Sequence, residues 1–495
     1  MSTTLSTTLS TTSHDEAAAR FLPDSSLLIG DQRISSVPGG TMDKINPATG
    51  TLLGSFPVAG KAEVDAAVAA AKDAFPKWRA TSPGERRRIM IRIAELLDEN
   101  SEQFVMLHAL ESGAPVNPAF GATMAIDHFM YYAGWADKIG GELAPIYPST
   151  GFDYVKHEPY GVIGALLTWN GPLMTAAMKV APAIAAGNTV VIKPAELAPF
   201  AAIRFGELCL EAGLPPGVIN VITGGPEAGD AIVRHPDVAK ISFTGGIVTA
   251  RHILRAAAET ITPVVMELGG KSANVVFDDA DIATAAAHAT AFAMSAGQGC
   301  LLPTRLLVQA GVYDRVVEQV VNTVGQIRVG DPLDPGTVMG PVISEAARDR
   351  IRGVIDDARA AGTGELLTGG DSPSVKGFYV NPTVFGGVDN SSSLAQNEVF
   401  GPVLSVIPFS DEDEAIAIAN DSTFGLAGYV HTRDVARAHR VADRLDAGFI
   451  SVNGHNPMPA STPFGGNKQS GYGREGGRAG LEEFLHHKNV YVSLD

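Results

Sequence analysis

Apolar residues recur at helical spacing over 61–75, where Val64, Ala67, Val68, Ala71 and Phe75 share one face and Pro76 is expected to close the helix. A second helix follows Ser82, a capping residue, and Pro83, which suits a first turn; Ile89, Ile93, Leu96 and Leu97 form its inner face. Helical spacing continues over 125–139 until Gly140, Gly141, Pro145 and Pro148 interrupt it. The opening region therefore reads as mainly helical. From Tyr160 the rhythm changes to short β-rich runs alternating with helices, the pattern of βαβ units around a parallel sheet. Strands are expected at 162–167, 189–192, 218–221, 239–243 and 263–267, with helices at 172–186, 200–211 and 247–258. After Gly269 and Gly270 the alternation restarts, with strands at 273–277, 304–308, 403–408, 428–430 and 449–452. The fold class is α/β, with a Rossmann-like cofactor domain, a second α/β domain, and a crevice between them suited to a ligand.

Composition narrows the function more than the fold. At 495 residues, 45% hydrophobic and 18% charged, the chain has ample material for two or three domains. A net charge of −17 opposes phosphate backbones and anionic lipid, so neither nucleic acid nor a membrane is an expected partner. No run approaches the roughly 20 apolar residues of a membrane span. Two cysteines allow at most one disulfide, which points to a reducing compartment, the cytoplasm. The tandem Ser-Thr-Thr-Leu start suggests a disordered tail over 1–19.

The small-residue run 292–300 ends on Cys300. A cysteine acts as a nucleophile only as thiolate, so this reading requires surroundings that lower its pKa. Cys209, among Phe205, Leu208 and Leu210, is instead a core residue. Glu267 stands at a strand exit beside Gly269 and Gly270, suited to a general base or, equally, a solvated strand end. Asn170 follows Trp169 at another exit and serves either an oxyanion or a helix cap. Lys193 and Glu196 suit a ribose diol or a surface ion pair. Gly245 and Gly246 lead a strand into a helix whose first N–H groups suit a pyrophosphate, or simply form a tight turn. Gly471, Gly473 and Gly476 match a dinucleotide fingerprint, but no βαβ unit follows them; Gly270-Lys271-Ser272 lacks the earlier glycine of a phosphate loop. No cluster reads as a metal site.

Taken in order, Trp169-Asn170, Lys193-Pro194-Ala195-Glu196, Phe243-Thr244-Gly245, Glu267-Leu268-Gly269-Gly270-Lys271, Gly297-Gln298-Gly299-Cys300, Glu398-Val399-Phe400-Gly401-Pro402 and Pro463-Phe464-Gly465-Gly466 closely resemble the NAD(P)-dependent aldehyde dehydrogenase superfamily from about residue 40 onward. The resemblance implies a dinucleotide-binding domain over 20–139 and 159–268, a catalytic domain over 269–468, and oligomerisation segments at 140–158 and 481–495, with Val490 to Val492 as an edge strand in a homodimer or homotetramer. It implies that Cys300 attacks the aldehyde, that Asn170 and the Cys300 N–H stabilise the oxyanion, and that Glu267 activates water. The cofactor, NAD with NADP possible, would meet Trp169, Lys193, Glu196, Gly245, Gly246, Glu398 and Phe400. Glu196 would repel a 2′-phosphate, which favours NAD. Gly246 and Ala250 depart from the family's usual residues at the phosphate grip, and Thr168 replaces a common proline, a change expected to matter little.

At positions often aromatic or bulky in relatives, this chain has Gly171, Thr175, Met178 and Met458; Leu301, Leu302 and Phe464 also belong to the substrate wall. A wide, apolar tunnel for a bulky aromatic, terpenoid-like or long-chain aldehyde is expected. A coenzyme A-acylating enzyme is disfavoured by Glu267, which such relatives usually lack. A cofactor-independent cysteine hydrolase is disfavoured because no local histidine motif accompanies Cys300.

Overall fold

The computed structural model describes residues 13–117, 121–147, 150–454 and 458–494. The run of βαβ units builds an eight-stranded sheet whose order is Gln32–Ile34, Leu27–Ile29, Ile219–Val221, Thr189–Lys193, Val162–Leu166, Val238–Thr244, Val264–Glu267 and Gly471–Tyr472. The central five strands are parallel. Val162–Leu166 and Thr189–Lys193 are buried along their whole length, which is why they read as unbroken apolar runs. The parallel run starts at Val162–Leu166, works outward on one side to Ile219–Val221, then returns to Val238–Thr244 on the other. That reversal leaves a crevice beyond the carboxyl ends of the two middle strands.

A second sheet of seven strands runs Glu365–Thr368, Thr383–Gly386, Val403–Phe409, Arg305–Gln309, Ala273–Val276, Ala427–His431 and Phe449–Val452, parallel except for the first. It has its own core, centred on Val275, Leu307, Val384 and Val406. The third sheet joins Gly141–Ala144, Gly151–Pro159 and Leu485–Ser493; the last pairs with Gly151–Pro159 through nine residues and includes the expected edge at Val490 to Val492.

Several expectations need correction. The helix Lys61–Ala80 runs through Pro76 instead of stopping there. Proline forfeits one backbone hydrogen bond, but the turn beyond it buries Trp78, whose indole N–H donates to the Ile184 carbonyl at 3.2 Å. The tail expected over 1–19 is a helix from His14–Phe21 in its described part, residues 1–12 lying outside the described residues. Ser13 and Glu16 form a reciprocal capping box, and Ala17 and Phe21 are buried. Four strands, Leu27–Ile29, Gln32–Ile34, Thr41–Ile45 and Leu52–Pro57, precede the helices of the opening region. The glycines at 471–476 serve close approach: a side chain at Gly471 would strike the Met266 carbonyl, because Gly471–Tyr472 pairs antiparallel with Val264–Glu267.

Candidate active site

Four of the sequence motifs leave the same edge of the first sheet. Leu166 leads to Thr168, Trp169 and Asn170; Lys193 ends its strand; Thr244 leads to Gly245 and Gly246; and Glu267 ends the next strand. Between them lies a cleft of about 550 Å³ walled by Trp169, Lys193, Glu196, Thr244, Gly245 and Gly246. The buried Lys193 ammonium donates to Glu196 Oε1 at 2.6 Å, so the pair is a fixed feature of the wall rather than a loose surface contact. Gly246 caps the eleven-residue helix Ile247–Ala257, and a Cβ built on it meets nothing within 4 Å. The Thr244 hydroxyl is buried without a partner among the described residues. Open backbone N–H groups at a helix start, an unspent hydroxyl and a paired acceptor for a diol together fit a dinucleotide.

Across the cleft, Trp169 and Phe400 meet edge to face with ring centroids 5.4 Å apart. Phe400 has φ 49°, a left-handed conformation unusual for an aromatic residue. Glu398 lies against the backbone of the Gly269-Gly270 turn: its Oε1 accepts from the Gly270 N–H at 3.0 Å, and a Cβ on Gly269 would occupy the position of its carboxylate. Burial pushes the Glu398 carboxyl up to about 7.

The loop that carries Cys300 is held tightly. Ser295, Ala296 and Gly297 are all left-handed, with φ of 46°, 54° and 74°. Any side chain at Gly297 would collide with the Gly401 backbone, so the cysteine loop and the loop carrying Phe400 touch main chain to main chain. Gln298, which sequence reasoning did not single out, anchors this turn. Its amide donates to the Ser295 carbonyl at 3.0 Å, its Oε1 accepts from the Ile343 N–H at 2.8 Å, and its backbone carbonyl accepts from Asn170 Nδ2 at 2.9 Å. Asn170 is therefore not the helix cap; Gly171 holds that position.

The thiol itself departs from expectation. Burial pushes Cys300 well above its ordinary range, and the neighbouring Glu267 and Glu398 add to the shift, while the N–H groups of Cys300 and Leu301 oppose it. The causes that raise it outweigh those that lower it. Glu267 is fully enclosed, and burial, then the charge of Glu475, push its carboxyl well above the carboxylate range. Its Oε1 has no hydrogen-bond partner among the described residues. Nearby, Lys179 and Glu475 form a buried ion pair at 2.5 Å, with Lys179 also donating to Ser242. Cys209 is a buried core thiol, as expected.

Cys300, Leu301, Met178, Met458 and Phe464 pack in one apolar cluster with Met174, Leu426, Tyr429 and Phe449. The last four were not foreseen; they come from a helix, two strands and the bend at Leu426, whose facing cannot be read from spacing alone. Gly171 does not by itself widen the passage, because a Cβ there would lie 3.0 Å from the Met174 methyl, which fills that space. Thr175 spends its hydroxyl on the Gly171 carbonyl at 3.0 Å, and Leu302 packs over Gly299 outside the cluster. Among the described residues no group of three or more His, Cys, Asp and Glu is arranged around a metal ion, and no helix is long and apolar enough to cross a membrane.

The strand ends thus assemble a dinucleotide-sized cleft, the arrangement of an α/β oxidoreductase. The aldehyde dehydrogenase family profile matches residues 34–490. A betaine aldehyde dehydrogenase from Rhizobium etli is 41% identical over 479 residues, spanning 95% of this chain and 98% of the relative. A betaine aldehyde dehydrogenase from Staphylococcus aureus, solved in complex with NAD+, superposes with a TM-score of 0.95 at 37% identity over 97% of this chain and 98% of that one. The NAD+ complex of an aldehyde dehydrogenase from Bacillus cereus gives 0.93 at 37% identity over 96% and 98%. The chain belongs to the NAD(P)-dependent aldehyde dehydrogenase family.

Proposed function

We propose that this protein oxidises a bulky apolar aldehyde to the carboxylic acid with NAD+, through a thiohemiacetal and then a thioester on Cys300. The observation that carries the reaction is the convergence on Cys300 of an amide donor tied to its loop, Asn170, and an enclosed carboxyl with an unspent oxygen, Glu267. Cys300 gives its proton to water and its sulfur bonds to the aldehyde carbon as the C=O π pair moves onto oxygen, which becomes an oxyanion. The free N–H of the Asn170 amide and the Cys300 N–H stabilise that charge, which exists only along the reaction; one such donor is worth roughly 3–4 kcal/mol. Bound NAD+ supplies the acceptor for the hydride that leaves this carbon, turning it into a thioester. Glu267, once ionised, takes a proton from water; the hydroxide adds to the thioester carbon, the C–S bond breaks, and the acid leaves. Its raised pKa makes it a stronger base when ionised, and release of the acid speeds up as pH rises through its titration.

Lys193 and Glu196 are assigned to the adenine ribose, Gly245 and Gly246 to the diphosphate, and Trp169, Glu398 and Phe400 to the nicotinamide end. Glu196 opposes a 2′-phosphate, which favours NAD+ over NADP+. The substrate class rests on the cluster around Cys300, in which Met174, Met178 and Met458 give an adaptable apolar wall. A second reading, betaine aldehyde, is favoured by the names of relatives and by the aromatic faces of Tyr429, Phe449 and Phe464 in the same cluster, which suit a quaternary ammonium; the three methionines favour the first reading. The division at Gly269-Gly270 into cofactor and catalytic domains follows the two sheets. The open edge of Leu485–Ser493, with Phe152, Tyr491 and Val492 exposed beside it, is assigned to contact between copies in a dimer or tetramer. A reactive thiol without a disulfide partner suits the cytoplasm.

The test is an aldehyde panel run separately with NAD+ and NADP+, following reduced nicotinamide. The expected result is a higher kcat/KM on aromatic or long-chain aldehydes than on acetaldehyde, succinic semialdehyde or betaine aldehyde, with NAD+ preferred. Preference for any of those three overturns the substrate class, and preference for NADP+ overturns the role of Glu196.

A further inference from the structure

We infer that Thr168 is a positioning residue for the oxyanion donor: its hydroxyl holds the Asn170 amide in the orientation that leaves one N–H free for the substrate. Thr168 Oγ1 donates to Asn170 Oδ1 at 3.1 Å, and Asn170 Nδ2 donates to the Gln298 carbonyl at 2.9 Å. The two ends of a carboxamide are nearly the same shape but opposite in function, since the oxygen only accepts and the nitrogen only donates, through two N–H groups. A donor on one end and an acceptor on the other fix which is which. One N–H is spent on Gln298, and the other remains.

The Gln298 carbonyl is a fixed reference point, because the Gln298 side chain is tied to Ser295 within the turn and to Ile343 of a separate segment. Without the Thr168 hydroxyl, Oδ1 loses its hydrogen-bond donor and the amide plane is set by a single bond, about which it can pivot. A hydroxyl donating to an amide oxygen also polarises the group and makes its N–H a better donor. The residue type supplies the device: the proline expected at this position by resemblance carries no hydroxyl, so Thr168 replaces a purely steric residue with one that acts on Asn170. Thr168 also lines the cofactor cleft, so the experiment must separate an effect on the oxyanion from an effect on NAD+ binding.

This inference rests on the reading of Asn170 as an oxyanion donor, and the two fail differently. The variants are Thr168→Val, which keeps the shape without the hydroxyl, Thr168→Ser, which keeps the hydroxyl, and both combined with Asn170→Ala; the readout is the single-turnover burst of reduced nicotinamide. Thr168→Val is expected to slow the burst about three- to tenfold, the worth of one hydrogen bond, with KM for NAD+ unchanged. Thr168→Ser should stay within about twofold of the parent, and Thr168→Val should cost nothing further once Asn170 is alanine, since the bonded partner is gone. A full-speed burst in Thr168→Val, an equal loss on the Asn170→Ala background, or a change confined to KM for NAD+ overturns the role of Thr168. A full-speed burst in Asn170→Ala overturns the reading of Asn170 itself.

Discussion

The two sides of Cys300 are built by different means. On the side proposed for the cofactor, polar groups are set by main chain: strand ends deliver Lys193, Thr244 and Glu267, a helix start opens at Gly246, and Glu398 lies against the Gly269-Gly270 backbone. On the side proposed for the aldehyde the wall is made of side chains from separate segments, three of them methionines. Topology fixes the first side and packing the second. The cofactor half therefore admits few substitutions in its framework, while the aldehyde half can change its preference through single side chains.

That contrast can be broken in three ways. Replacing Cys300 by Ala removes the atom both halves serve, and aldehyde oxidation should fall by at least about 10⁴-fold while NAD+ still binds, measured by fluorescence titration. Loss of both together would mean the cysteine loop also shapes the cofactor wall. Replacing Glu267 by Gln should keep the burst of reduced nicotinamide and slow steady turnover by roughly 10²- to 10⁴-fold. The same variant has a pH signature. In the parent without cofactor, the raised thiol pKa keeps Cys300 protonated, so alkylation by iodoacetamide stays slow until pH passes the ordinary thiol value of 9.0. A neighbouring carboxylate opposes thiolate, so Glu267→Gln should move that rise to lower pH; an unmoved profile would uncouple the two groups. The smallest change sharpens the aldehyde half alone: Gly171→Ala presses on the Met174 methyl at 3.0 Å, and kcat/KM for bulky aldehydes should fall less than about tenfold, with acetaldehyde and NAD+ unaffected.

The same division governs what the sequence disclosed. Strands such as Val162–Leu166 and Thr189–Lys193 were legible because burial on both faces writes an unbroken apolar run, and the turns beyond them announce themselves by residue type. Pro76 misled because punctuation is local, whereas the turn it interrupts is held by Trp78 against Ile184, over a hundred residues away. The capping box of Ser13 and Glu16 was a readable signal that the repetitive tail obscured. Gly171 suggested open space, and only the fold shows Met174 filling it. The state of Cys300 was beyond reach, since burial and two carboxylates set its acidity, and none adjoins it in the chain. Thr168 was dismissed for the same reason: its importance lies in what its hydroxyl touches.

The short strand Gly471–Tyr472, paired with Met266 and Glu267, has a consequence for the order in which the molecule is made. About two hundred residues separate the proposed base from the strand that flanks it, and at about 5–20 residues per second a ribosome needs roughly 10–40 s to supply them. During that interval a nascent chain already carries Cys300 but lacks the strand that walls in Glu267. The backbone beside Glu267 is thus closed only once residues 471 and 472 have been made, long after Cys300 itself.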